Sequence, residues 1–526
     1  MSRNVTEQDL NALGVRATGF SLGAGRMVKK VLLPSEQPLP PPTMRIYPRV
    51  THSSVPGNLF RNGEVATQIT IPKKVCDVIH HISLKIDVHI REGPAQLVPV
   101  THWFKRINLQ ANNGDILRSW YPDTMFTSIG ALLNNSQSIV SFKNLHIDSD
   151  ANHFLGLCPP LQPGHYSFYL PLVSSLWDQL KPYWADAKND LILYLIPEGT
   201  IVATGNGVVD CTGLSMIFEG ERMSDRLDDA HQRISKMFAK SALICQPVPV
   251  INLNERIQTG VNRIDISSLR GKVSFLEIIV REPGSNNINN GYWKQLNLGD
   301  SQGATIDIVD ASNQSVLGGS AIDCQFIKNE LWVHNFKNSH AAAKSTYVIP
   351  HGTSVGAAFV GKFDGYRQYT GQQEHLQLNV KAPINEVQTL TCSKSTLDSG
   401  VYRFKFRGEL SEWLEFDAPP AQMSAAIAKM RVFARNSVTV EFSSGLHQGA
   451  TTTATFTCPE TNGLEGDLLD VVSDSLQLDG ELATVEVELT TAGRDGIKPG
   501  SYDVIVYGYV IRRVTYADGI FHVEDL

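Results

Sequence analysis

Apolar and polar residues alternate with a period of two along much of the chain. From Val78 to Ile90 the even positions are Val78, His80, Ile82, Leu84, Ile86, Val88 and Ile90, and the odd ones include His81, Ser83, Lys85, Asp87 and His89. Successive strand side chains point to opposite faces, so this pattern predicts a strand with one face in a core and the other toward water or an interface. A second signal is WFKRINLQANNGDILRSWYPDTMFTSI, Trp103 to Ile129. Phe104, Ile107 and Leu109 alternate with polar residues, and Asn112-Asn113-Gly114-Asp115 tolerates the positive φ of a hairpin turn. Ile116, Leu117 and Trp120 resume the strand, and a short amphipathic segment follows. Val65 to Ile71 and His165 to Pro171 predict further strands, and Met216 to Glu219 closes this first β region.

Three stretches are apolar on both faces: DLILYLIP (Asp190–Pro197), KVSFLEIIV (Lys272–Val280) and YDVIVYGYVIRRV (Tyr502–Val514). Each predicts a strand in the middle of a sheet, covered on both sides. Strands are also expected over Ala321–Asn335, Thr346–Ile349, Phe359–Phe363 and His375–Val380. Helical signals are few. Leu172 to Trp184 can form a turn or two over an open end of the first region. Ser224 to Lys240 repeats Leu227, Ala230, Ile234 and Met237 at helical spacing behind a capping serine, and predicts a connector between two β regions.

The texture changes between Pro383 and Gly493. Tyr402, Phe404 and Phe406 alternate with Arg403, Lys405 and Arg407. Asp417-Ala418-Pro419-Pro420 then opens a short helix with Met423, Ile427 and Met430 on one face, proline being tolerated in a first turn. Strands are expected over Val438–Phe442, Thr453–Thr457, Leu468–Val472 and Ala483–Leu489. This reads as a compact module of about 110 residues. Tyr502 to Val514 has the pattern of a central strand, so it is expected to complete the second β region, with the module inserted just before it. Met1 to Thr43 lacks alternation and ends in Pro38-Leu39-Pro40-Pro41-Pro42, an extended run, so it is expected to be an arm ordered by packing on something else.

Composition narrows the function. The net charge of −7 argues against a chain that coats nucleic acid by itself, which needs clustered Lys and Arg. The seven cysteines include no CxxC pair, so free thiols in a reducing compartment are expected; whether Cys392 and Cys458 pair cannot be read. No stretch has the length of apolar residues a membrane helix needs, and the first residues carry no secretory pattern. No GxSxG, HExxH, P-loop or paired-carboxylate signature occurs, so no catalytic, cofactor-binding or metal-binding residues are predicted. His80 and His81 tempt a metal reading, but neighbours on a strand face opposite ways and cannot chelate one ion.

Four runs carry a resemblance. FKRINLQANNGDILRSWYPD, HYSFYLPLVSSLWDQLKPYW with DLILYLIPEG, GKVSFLEIIVRE, and SYDVIVYGYVIRRVTYADGIF follow one another in the order and spacing of the double jelly-roll major capsid proteins of tailless icosahedral DNA viruses, which they resemble. Within the module, GVYRFKFRGELSEWLEFDAPPAQMSAAIAKM followed by SVTVEFS resembles a small β repeat of viral and phage surface and fibre proteins.

The resemblance implies an all-β chain of two tandem jelly rolls with a small β-rich module inserted near the end of the second. The expected division is an N-terminal arm 1–43, a first jelly roll 44–222, a connecting helix and linker 223–246, a second jelly roll 247–383 plus 498–526, and an inserted outer module 384–497. The implied function is structural: homotrimers form pseudo-hexagonal capsomers that tile an icosahedral shell around a DNA genome. Implied partners are further copies of the chain, penton and minor capsid or cement proteins, a host receptor met through the module, and an internal membrane, without sequence-specific nucleic-acid binding. The competing reading is a tandem β-sandwich carbohydrate binder or adhesin, with Trp293, Trp332 and Trp413 as candidate sugar-stacking aromatics.

Overall fold

The structure is a computed structural model. It describes residues 17–526 apart from 24–25, 32–42, 53–54, 61–65, 74, 112, 133–146, 149–155, 158–159, 180–187, 224–240, 251–255, 282–296, 332–345, 431–432, 434–437, 458–466, 474, 495, 498–499 and 518.

Nine strands build the first sandwich: β1 (Thr43–Ile46), β2 (Arg49–Thr51), β3 (Thr67–Ile71), β4 (Val78–Arg91), β5 (Phe104–Ala111), β6 (Ile116–Trp120), β7 (Gly164–Pro171), β8 (Leu191–Pro197) and β9 (Val208–Met223). One sheet runs β7-β4-β9, with β1 and β2 both paired to β9; the other runs β3-β8-β5-β6. The second sandwich uses β10 (Ser241–Val250), β11 (Gly260–Asp265), β12 (Arg270–Arg281), β13 (Thr305–Val309), β14 (Ile322–Asp323), β15 (Thr346–Pro350), β16 (His375–Val380) and β17 (Tyr502–Ala517). Its sheets run β10-β17-β12-β15 and β11-β16-β13-β14, and β18 (Ile520–Asp525) adds to β17.

Counting β1 and β2 as one interrupted strand, both sandwiches have the same order. The first, eighth, third and sixth strands form one sheet; the second, seventh, fourth and fifth form the other. That order, with antiparallel pairing throughout, is the two-Greek-key jelly roll. The chain is therefore all-β, a double jelly roll. Its inserted module lies between the seventh and eighth strands of the second sandwich.

The alternation of β4 becomes burial directly. Ile82, Leu84, Ile86, Val88 and Ile90 are buried, whereas Ser83, Lys85, Asp87 and His89 are partly exposed and His81 is exposed. Trp103, Phe104, Ile107, Leu109, Leu117 and Trp120 join the same core, and the hairpin turns at Gly114 with φ +94°. The second core gathers Val273, Leu276, Ile278, Val280, Ile306, Ile308, Leu376 and Leu378. The module has its own core around Tyr402, Phe404, Phe406, Met423, Ile427 and Met430, the last three presented by a helix at Pro420–Ala428 and the residues just after it. Its chain enters and leaves through a neck closed by Ile384 and Arg494, which exchange backbone hydrogen bonds of 3.0 and 2.9 Å.

Several elements differ from expectation. The arm contains a hairpin, Ala17–Gly23 paired with Arg26–Val31, where the absence of alternation had predicted no strand. Of the expected Ala321–Asn335 strand, only Ile322–Asp323 is strand among the described residues, 321–331. Asp323 caps a helical turn at Cys324–Phe326, its Oδ1 accepting from the Gln325 and Phe326 amides at 2.8 and 3.1 Å, and a π turn at Ile327–Leu331 follows. An N-cap carboxylate satisfies amides that a strand would have to pair elsewhere, which is why helix wins there. Likewise Val355–Phe359 is helical and takes the first residue of the expected Phe359–Phe363 strand; Ser354 Oγ accepts from the Ala357 amide at 3.1 Å. β8 is central as expected, but only Leu191, Leu193, Leu195 and Pro197 are fully buried; Ile192, Tyr194 and Ile196 stay partly exposed. The connector predicted at Ser224–Lys240 lies outside the described residues.

Candidate functional site: the seam between the sandwiches

β12 is buried on both sides because its two faces serve different partners. Leu276, Ile278 and Val280 point into the second core, and a register shift between Val273 and Leu276 brings Val273 to that side too. Phe275 and Ile279 face the other way, where they meet Cys245, Val348, Phe359, Tyr507 and Tyr509. Phe275 stacks on Tyr509 with ring centroids 3.9 Å apart, and Phe359 meets the same tyrosine edge-on at 5.5 Å. This outer face is covered by the first sandwich. Helix α1 (Pro122–Leu132), which follows β6 directly, lies against it, and Tyr121 packs on Tyr507 at 5.3 Å. The two cores also merge at one end, since Ala242 and Ile244 of β10, Val514 of β17 and Phe521 of β18 are part of the first core.

Polar groups inside this seam are specific. Asp123 and Thr127 are four residues apart on α1 and therefore share a face. Glu277 and Arg281 are four apart on β12 and share a face too. Arg281 pairs with Asp123, and Thr127 Oγ1 donates to Glu277 Oε1. Four residues span about 6 Å on a helix and about 13 Å on a strand, so only a side chain as long as arginine closes both contacts at once. Tyr509 donates to Glu277 Oε2 at 2.5 Å, and His102 Nε2 lies 3.5 Å from Asp123 Oδ1. At the adjoining edge, Arg118 of β6 donates to the Cys245 carbonyl and the Ser119 amide donates to Gln246 Oε1 at 3.2 Å.

Burial dominates the electrostatics. Glu277 is fully buried, and loss of solvent pushes its carboxyl from 4.5 up to about 7, against the hydrogen bonds from Thr127 and Tyr509 and with the help of the Asp123 charge. Burial likewise raises the Cys245 thiol to about 12 and the Tyr507 and Tyr509 phenols well above their ordinary value. With Asp123 at 1% and Glu277 at 0% exposure, the carboxyls are closed off from solvent, and the cluster bridges the two sandwiches. Their angle and register are constrained by charged groups that cannot be left unpaired in a dry interface.

The residues weighed from sequence fall elsewhere. His80 pairs with Glu221 at 2.9 Å, while His81 is exposed on the opposite face of β4. Trp413 is half exposed with the Arg403 guanidinium 4.4 Å over its ring; Trp293 and Trp332 lie outside the described residues. No group of three metal-ligating side chains occurs among the described residues. Cys76, Cys211, Cys245 and Cys392 are buried free thiols, and Cys324 is buried in the second core. Sequence reasoning missed the seam. Its signal was Glu277 and Arg281, two charges in an otherwise apolar run.

No family model matches the chain, and no curated protein does. Solved structures of similar fold include PBCV-1 VP54, fitted into a cryo-EM reconstruction of the virophage Sputnik, at 10% identity and a TM-score of 0.49 over 86% of this chain and 97% of that one. The Faustovirus major capsid protein is similar at 11% identity and TM-score 0.46 over 66% and 89% of the two chains. The mavirus major capsid protein is similar at 10% identity and TM-score 0.37 over 91% and 90%. These are double jelly-roll major capsid proteins, the type that the four sequence runs resemble. The fold assignment itself rests on the strand order of the two sandwiches.

Proposed function

We propose that the chain is a major capsid protein whose homotrimers form pseudo-hexagonal capsomers of an icosahedral virus shell. The observation that carries this reading is the fusion of two identically ordered jelly rolls through a buried seam. Such a seam makes one chain a rigid pair of like blocks, which suits tiling and serves no evident catalytic end. The inserted module, with its own core and a narrow neck, would stand on the outer surface and meet a host receptor. The arm would tie neighbouring capsomers together at the base, and penton and minor capsid proteins would complete the shell. A net charge of −7 fits a shell that leaves genome contact to other components or to an internal membrane. Light scattering behind a sizing column tests the reading, with three chain masses expected and hexagonal arrays expected by electron microscopy. A chain that stays monomeric across salt and pH overturns it.

A further inference from the structure

The two sandwiches repeat one plan, but among the described residues only one copy of a particular face is covered within the chain. In the second sandwich, the outer face of the β10-β17-β12-β15 sheet is sealed by the element that follows β6 of the first, helix α1. The first sandwich has the same face, on β7-β4-β9. There His81, His165, Ser167 and Tyr169 are exposed and Lys85 is partly so. Tyr169 sits directly opposite Lys85, with 42% of its surface in solvent, and His89 stacks on His165 at 4.1 Å.

The second sandwich also has the counterpart of α1. β14 is its fifth strand, as β6 is in the first sandwich, and the helical segment Cys324–Leu331 follows it directly. Gln325, Phe326 and Glu330 of this segment are exposed, Phe326 at 48%. The segment is nevertheless anchored. Cys324 and Ile327 are buried in the second core, and Lys328 reaches Asp300 Oδ2 at 2.7 Å, an aspartate that also accepts from Tyr347 at 2.7 Å. A fixed turn that presents an aromatic to solvent is a preformed docking element.

We infer that the Cys324–Leu331 segment of one chain docks on the exposed β7-β4-β9 face of a second copy, repeating between chains the contact that α1 makes within the chain. The inference rests on the trimer reading above and names the two surfaces that make the trimer. The contact is heterologous, each chain offering one segment and one face, so it propagates around a ring. It also differs in chemistry from the internal seam. The internal face is aromatic and aliphatic around a buried charge cluster, whereas the face between chains carries histidines, a lysine and one tyrosine. Trimers should therefore separate without the sandwiches of one chain coming apart.

Two variants test this, Phe326→Glu on the segment and Tyr169→Glu on the face. Both side chains are exposed, so each variant should keep one cooperative denaturant transition, at a midpoint below that of the trimeric wild type only by the association it has lost. By light scattering each alone should fall from three chain masses to one. Mixed in equal amounts they should form a dimer and go no further, because Phe326→Glu keeps an intact face and Tyr169→Glu keeps an intact segment. Leu410→Glu, at an exposed site on the module, should remain trimeric. A trimeric wild type with either variant still trimeric overturns the inference and leaves the capsid reading standing. A mixture that stays monomeric overturns the heterologous pairing. A wild-type monomer overturns both readings.

Discussion

Glu277→Gln isolates the cost of one buried charge at the seam. The carboxyl is fully buried, between the hydroxyls of Thr127 and Tyr509, with the paired Asp123 and Arg281 beside it and Arg118 facing Tyr509. Its folded value of about 7 lies above the ordinary 4.5, so between those two values the folded chain holds a proton that the unfolded chain has lost. Stability is therefore fullest below 4.5 and declines as pH rises through about 7. At about 1.4 kcal/mol per pH unit, that interval amounts to about 3 kcal/mol. Glutamine keeps the volume and a partner for each hydroxyl, its amide oxygen accepting from one and its NH2 donating to the other. The amide's hydrogen bonds to the two hydroxyls differ from those of the neutral acid and cost about 1 kcal/mol at every pH. The variant should match wild type near about pH 5 and exceed it by about 2 kcal/mol near about pH 8. The assay is denaturant unfolding of both proteins across that range, read as their difference. The difference is needed because His351, buried and held down to about 4, acts in the opposite sense: its contribution is lost as pH falls from 6.5 through about 4. That contribution is common to both proteins and cancels. A difference that does not change with pH, or one that favours wild type more at high pH, refutes the account.

Asp123→Ala removes the carboxylate paired with the buried Arg281 guanidinium and should cost about 3–5 kcal/mol by the same unfolding assay. Gly508→Val should destabilise by about 1–3 kcal/mol; even a Cβ at this position would lie 2.5 Å from Leu269 Cδ2, in the middle of a sheet. Burial holds the Cys76, Cys211 and Cys245 thiols up at about 12, so peptide mapping after iodoacetamide treatment of the native protein at neutral pH should find all three unmodified, and unfolding should expose them. Residues 384–497 expressed alone should give a cooperative thermal transition, because the Tyr402–Met423–Ile427 core draws on no strand of either sandwich among the described residues.

What could be read from sequence was whatever a single strand reports about itself. Alternation in β4 from Ile82 onward and at Tyr402, Phe404 and Phe406 is a local consequence of one buried face, and it placed those core side chains; at the start of β4 it fails, Ile79 being buried and His80 partly exposed. The double burial of β12 and β17 was visible as unbroken apolar runs, but what covered the second face was not. That depends on α1, which lies about 150 positions away in the chain and meets Glu277 through Thr127. The misread segments, around Asp323 and Ser354, mix polar and apolar residues without a clear period of two. A single capping oxygen decided each of them. β8 erred in the other direction. Its apolar side chains at Ile192, Tyr194 and Ile196 remain half-open, so composition alone overstated burial.

The placement of β17 has a consequence for synthesis. This strand lies between β10 and β12, follows the whole inserted module in the chain, and sends Val514 into the first core alongside Phe521 of β18. A growing polypeptide that has already delivered every other strand of both sandwiches still has a gap in the middle of one sheet and an unfilled place in the other sandwich. The module can close on itself while the blocks on either side of it wait. Both blocks then lock together once residues 502–525 have left the ribosome. A chain cut short before Tyr502 thus lacks a central strand of one sandwich and core side chains of the other, so both sandwiches are left incomplete by one truncation.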